Sequence, residues 1–268
     1  MKRIIAALLA VLLTLTGCAF GQEQETEPTL RSDPPATEPT ATTQTEAVTA
    51  PPTEPSEETL PPHSQLYLEG LSQDAVIVFF EEVCLDAEIV NSGNASRLQK
   101  WDSPITYRIH GTPTGEDLAV LEAFAQWLNT VPGFPGIGEA ESEIGASMDI
   151  WFCSRQEMAD ILGDWTWGCD GGVTFWYEND RIWNATVCIS NDTDQRLRNS
   201  VILEELYNSL GPVQDTTLRE DSLIWTGYSD PQWMTEEDML ILKLLYHPDM
   251  EPGMDADSCA QVIREIYY

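Results

Sequence analysis

ILEELYNSLG, Ile202 to Gly211, sets two adjacent carboxylates inside a run that otherwise has the periodicity of a buried helix. At about 100° per residue, Leu203, Leu206, Tyr207 and Leu210 form one apolar stripe, and Glu204, Glu205 and Asn208 share the far side. Leu197 and Val201 lie on that far side one or two turns earlier. A helix apolar on both sides is sandwiched, so the carboxylates are expected to line a cleft or its edge. The helix is expected from about Asp194 to Leu210, where Gly211 supplies a left-handed cap and Pro212 cannot continue the turn.

Downstream, Thr235 and Asp238 form a capping-box start for MLILKLLY, Met239 to Tyr246, which is apolar on nearly every side and expected to be buried. A last helix, about Ala256 to Tyr267, carries Cys259, Val262, Ile263 and Ile266 on one stripe. Upstream, a first helix is expected from about Ser72 to Leu85, with Val76, Phe79, Phe80 and Val83 at helical spacing. ITYRIH (105–110) and MDIWFC (148–153) read as strands. Between them Thr114 starts a helix bearing Leu118, Leu121, Phe124 and Leu128, and a short helix follows the second strand. GVTFWYE (172–178) and RIWNATVCIS (181–190) flank the pair Asn179-Asp180 and read as a hairpin.

If Glu178 opposes Arg181, strict alternation sets Gly171 against Cys188 and brings Cys169 within diagonal reach, so Cys169–Cys188 is the preferred disulfide. A second bridge from Cys84 on the first helix to Cys259 on the last is open. Five cysteines follow Cys18, and their spacing matches no zinc ribbon or CxxC pair, which leaves disulfides as the leading reading outside the membrane.

Lys2 and Arg3 precede the apolar run Ile4–Leu15, too short to span a bilayer and laid out as a secretory signal over residues 1–17. Its ending LTGC resembles the lipobox of bacterial lipoproteins. That resemblance implies cleavage before Cys18, a diacylglyceryl group on its sulfur, and attachment to the outer face of the cytoplasmic membrane. Residues 19–62 hold 10 Thr and 9 Pro and cannot bury a core, so 18–62 is expected to be a tether and 63–268 the folded domain. That domain has 36 Asp and Glu against 10 Lys and Arg. Such a balance argues against nucleic acid or anionic lipid as a partner of the folded part and is compatible with cationic ligands, metal ions or solubility alone.

The order EELYNSLG also fits the metallopeptidase pattern H-E-x-x-H-x-x-G position by position. Glu204 and Asn208 fall at the two histidines, Glu205 at the glutamate and Gly211 at the glycine. DSLIW (221–225) and MTEEDMLILKLLYHP (234–248) resemble the metzincin stretch in which a methionine turn leads to a closing helix, with Leu223 or Ile224 at the methionine. Together with EPGM (251–254), these segments resemble an uncharacterised bacterial family of secreted domains grouped with the zincins. The resemblance implies an α+β, zincin-like domain in which a mixed sheet packs on the Glu204 helix and a helical C-terminal part follows. It makes Glu205 the candidate catalytic residue and puts the third ligand position near Gln214 or Asp215.

Zinc catalysis needs about three good ligands and an open position for water. The histidines, His63, His110 and His247, lie off this helix, and Glu204, Asn208 and Asp215 form an oxygen-only set better suited to calcium or magnesium. No zinc site and no cofactor are therefore expected. The leading expectation is a non-catalytic cleft at Glu204, Glu205 and Asn208 that binds a peptide or envelope partner. A hydrolase with oxygen ligands stays open, as does a capture lipoprotein presenting Trp165 and Trp167 from WTWGCDGG to a carbohydrate or peptide. The bland alternative has both glutamates partly solvated, bonded to backbone or to Arg196, Arg198 or Arg219.

Overall fold

A computed structural model describes residues 64–85, 97–141 and 145–268. The expected signal peptide, Cys18 and its lipid, the tether and His63 lie outside the described residues. Within them the fold is mixed α/β, with six α-helices and a mostly parallel sheet.

The strands are β1 (Lys100–Trp101), β2 (Ile105–Gly111), β3 (Ile137–Glu139), β4 (Met148–Cys153), β5 (Gly171–Glu178) and β6 (Arg181–Ser190). β3, β2, β4 and β6 run parallel in that order, and β5 pairs antiparallel with β6. β1 adds two parallel pairs at the start of β6. In β4, Met148, Ile150 and Phe152 are buried while Asp149 and Trp151 are only half-buried, the alternation of a strand with one face in the core. β6 ends with Val187 to Ser190 all buried, as in a parallel strand covered on both faces. The expected mixed sheet is thus parallel over four strands, because α2 (Gly115–Leu128) crosses between β2 and its parallel neighbours.

The hairpin forms where expected. Asn179 and Asp180 both adopt left-handed backbone, at φ 51° and 63°, which the two-residue turn requires. Its register differs from strict alternation. Glu178 does oppose Arg181, but a bulge opposite Trp176 and Tyr177 skips Trp183, so Gly172 rather than Gly171 faces Cys188. The Cys169–Cys188 bridge is consequently not formed, and Cys188 instead meets Cys153 from β4 in a thiol–thiol hydrogen bond. Cys84 and Cys259 are both buried where α1 (Gln73–Leu85) packs against α6 (Ala256–Ile266), but they too remain thiols.

α3 (Arg155–Leu162) follows β4 as expected, behind a capping box of Ser154 and Glu157. The helix of the opening motif is α4 (Gln195–Asn208), which packs on α2, β5 and β6. Ten of its 14 residues are buried, which confirms the sandwiched position inferred from Leu197 and Val201. Its last carbonyls find partners from elsewhere in the core: the Trp101 indole donates to Ser209 O at 2.9 Å and the Tyr246 hydroxyl to Leu210 O at 2.7 Å. Gly211 has φ 129°, and a methyl group there would meet Gln99 O at 2.5 Å, so the stop needs glycine for space as well as for conformation.

Beneath α4, α5 (Glu236–Leu245) is buried along Leu240, Ile241, Leu242, Leu244 and Leu245. Its Asp238 does more than close the predicted capping box. The carboxylate also accepts from Ser222 Oγ at 2.6 Å and from Leu223 N at 3.0 Å. The turn carrying Leu223 and Ile224 is thereby fixed in the core, with both side chains buried.

Candidate functional site

Three pieces of chain bring the site together: the second half of α4, the loop after Gly211, and the entry to β5. The loop is braced by α1, since Val213 N and Gln214 N both donate to Val83 O, at 2.7 and 3.3 Å. Glu82 then accepts from Thr216 Oγ1 at 2.5 Å and from Thr217 N at 2.9 Å. Asp215 is held between these anchor points. At the entry to β5, Gly171 lies directly on α4. A methyl group there would meet Val201 Cγ1 at 2.5 Å and Glu205 Cγ and Oε1 at 2.6 Å.

Glu205 is 6% exposed and Asn208 2%, whereas Glu204 keeps partial access to solvent. The site is therefore more enclosed than a cleft edge, with Glu204 as its outermost member. Glu205 Oε2, Asn208 Oδ1 and Gln214 Oε1 are all buried and accept no hydrogen bond. Burial pushes the Glu204 carboxyl up to about 8, with the negative charges of Asp215 and Asp170 adding to it. Burial also raises Glu205, helped by Glu204 and Asp215. Burial without a cationic partner thus favours the protonated form of both carboxyls.

Arginines do not supply that partner. Arg196 pairs with Asp230, Arg198 with Asp117 and Arg219 with Glu237. Arg155 engages Asp170. The expectation of a glutamate tied to Arg196, Arg198 or Arg219 is thus replaced by pairs with other carboxylates. His110 pairs with Asp149 at 2.7 Å and stacks on Trp151, and His247 sits beside Asp249. Among the described residues no three His, Cys, Asp or Glu side chains gather as a metal cage. A zinc ion does not fit this donor set, because zinc is held by nitrogen and sulfur with at most some carboxylate.

The aromatic loop separates into two roles. Trp165 donates to Leu162 O at 2.8 Å and packs with Cys153, Met158, Leu162 and Cys188, so it anchors the loop. Trp167 is 59% exposed.

A family profile spans residues 73–265, from the start of α1 to the last turn of α6, and so includes every residue of this site. The chain belongs to the DUF2927 family. That family is described as proteins of unknown function, and no curated protein matches the chain. For this DUF2927 domain the site has to be judged by its own chemistry.

Two features of the DUF2927 site were not read from the sequence. Gly171 gave no signal, because its role depends on a close approach to a helix some 30 positions later. The buried pair of Arg198 with Asp117, 2.9 Å apart, holds the start of α4 against α2. A Thr114-x-x-Asp117 capping pattern was available to mark Asp117 and is present in the structure.

Proposed function

We propose that this chain is a membrane-anchored extracellular binding protein, held through Cys18 at the outer face of the cytoplasmic membrane. Its zincin-like domain is non-catalytic and binds a peptide or envelope partner at Glu204, Glu205 and Asn208. The observation that carries the reading is the composition of the site. At the two positions where a zincin has imidazoles stand Glu204 and Asn208, and the side-chain oxygens buried around them await a donor or a cation. Such a site offers oxygens to a partner's hydrogen-bond donors but has no means to activate water as zinc does.

Two further features support a cationic, extended partner. The folded part carries a large acidic excess, and β5 pairs with β6 alone among the named strands. An edge strand of this kind can take an extended peptide through its backbone, and Gly171 puts the end of that strand on Glu205.

Metal analysis of the purified protein and a peptide-library cleavage assay test the reading together. Absence of stoichiometric zinc and of cleavage is expected. Zinc at one per chain, with cleavage abolished by Glu205→Gln, would overturn it. Pull-downs with Glu204→Ala and Trp167→Ala distinguish the buried site from the exposed tryptophan, since each variant should lose a different partner.

A further inference from the structure

We infer that Cys153 and Cys188 form a modification site, a thiol pair that closes to a disulfide by exchange with a small-molecule or protein disulfide. Such a site lies beyond the binding reading and takes from it only the extracellular placement, where thiols in contact are oxidised.

Strand register brings the two together. β4 and β6 run parallel, with Trp151 opposite Cys188 and Cys153 opposite Ser190. Side chains alternate between the faces of a sheet, so these residues share one face and Cys153 is the diagonal neighbour of Cys188. The two cysteines also pack in one cluster with Met158 and Leu162, walled by Trp151 and Trp165. Cys153 is 5% exposed and Cys188 fully buried. Within that apolar shell each thiol has the other as a hydrogen-bonding partner. Two thiols are too few to hold a structural zinc, and among the described residues no third His, Cys, Asp or Glu joins them as a metal site. Bonding to each other is the chemistry open to the pair.

The step balances as an exchange. The Cys153 thiolate attacks one sulfur of the oxidant's disulfide, giving a mixed disulfide and expelling the first oxidant thiolate. Cys188 then gives up its proton and attacks the Cys153 sulfur, expelling the second. The protein thiols are oxidised to one disulfide, the oxidant is reduced to two thiols, and the two cysteine protons end on the expelled sulfurs. The hydrogen bond assigns the order. It holds the Cys153 thiol below its usual range and, together with burial, pushes Cys188 up, which makes Cys153 the better attacking thiolate. Because the shell keeps an oxidant away from the folded pair, the exchange belongs to folding, before α3 and Trp165 close over the sulfurs. The bridge then closes the loop of residues 154–187, which carries α3, Trp167 and the Gly171 that lies against Glu205.

The test maps the full-length chain, extracted from membranes in detergent with iodoacetamide present, by proteolysis without reductant and mass spectrometry. A linked pair of peptides carrying Cys153 and Cys188, with Cys169 alkylated, is expected. The reduced, unfolded chain is also refolded with oxidised glutathione and mapped in the same way. Cys188 linked to Cys169 in either sample, or Cys153 and Cys188 both alkylated after refolding, overturns the pair. Linkage after refolding with both thiols alkylated in the membrane extract upholds the pair and overturns the extracellular placement, so the two fail separately. In the linked protein a reductant should lower Tm by roughly 5–10 °C. Cys188→Ala should lack that contribution and Cys169→Ala should keep it. A drop of equal size in Cys188→Ala and the wild type overturns the assignment.

Discussion

Replacing Glu204 by glutamine should make the protein more stable at alkaline pH and leave it nearly unchanged in acid. The sign follows from linkage. An ordinary glutamate titrates near 4.5, while Glu204 in the fold titrates near 8, so between those values the native state keeps a proton that the unfolded chain has lost. Wild-type stability therefore falls as pH rises through this window and levels off above about 8. At roughly 1.4 kcal/mol per pH unit, a fully enclosed group would account for about 5 kcal/mol. Glu204 keeps some contact with solvent, which reduces the figure to about 2–3 kcal/mol. Glutamine has the same shape and no proton to lose. Urea unfolding at pH 8.5 should favour Glu204→Gln by about that amount, a rise in Tm of roughly 5–10 °C, with less than about 1 kcal/mol between the proteins at pH 5. A residual slope should persist in the variant because Glu205 still titrates. A variant less stable than wild type at pH 8.5, or one displaced equally at both pH values, would refute the reasoning.

Asp238→Ala removes the acceptor shared by Ser222 Oγ, Leu223 N and Thr235 N, and should cost about 2–4 kcal/mol in denaturant unfolding with loosening of the Leu223–Ile224 turn by hydrogen exchange. Asp117→Ala leaves the Arg198 charge buried without its partner and should cost about 3–5 kcal/mol; a loss under about 1 kcal/mol would show that the pair is not structural. Asp117 accepts from Thr114, Arg198 and Gln195, and despite its burial these bonds hold it below the usual carboxylate range. Its contribution is therefore present above pH 4 and should be lost as the solution is acidified further. Gly171→Ala drives a methyl group into Val201 and Glu205 and should cost about 1–3 kcal/mol. It should also weaken any ligand of Glu205, whereas Gly172→Ala, whose methyl would meet only side-chain atoms at 3.1 Å or more, should do less.

The parts of this fold that were legible in the sequence are those set by local rules. Thr114 and Thr235 start their helices through side-chain bonds made within three residues, and Asn179-Asp180 turns its hairpin because both residues tolerate left-handed backbone. The burial of α4 on two sides was readable from Leu197 and Val201 against Leu203 and Leu206. What failed depended on count or distance. A single extra residue, Trp183, shifted the hairpin by one position and set Gly172 rather than Gly171 against Cys188, because strand register inverts with every residue gained or lost. The orphaned state of Glu205 and Asn208 was also invisible, since it depends on every arginine nearby being committed to some other carboxylate.

That last point bears on why the site persists. A buried carboxyl with an unpaired oxygen destabilises the fold, and a leucine or methionine at 205 would fill the same space beside Val201 without the penalty. The rest of the helix is secured well enough to sustain the loss. Asp117 and Arg198 hold its start, Trp101 and Tyr246 satisfy its last carbonyls, and Tyr207 donates to Asp238 O at 3.0 Å on the opposite stripe. Rigid support on three sides of unsatisfied acceptors is the arrangement expected when the geometry of the acceptors matters to a ligand. Glu205→Leu separates the two origins of the cost: the domain should become more stable and lose the partner that the wild type retains in a pull-down. A loss of stability would instead mean that the carboxyl is a working part of the core and that the ligand has to be sought elsewhere.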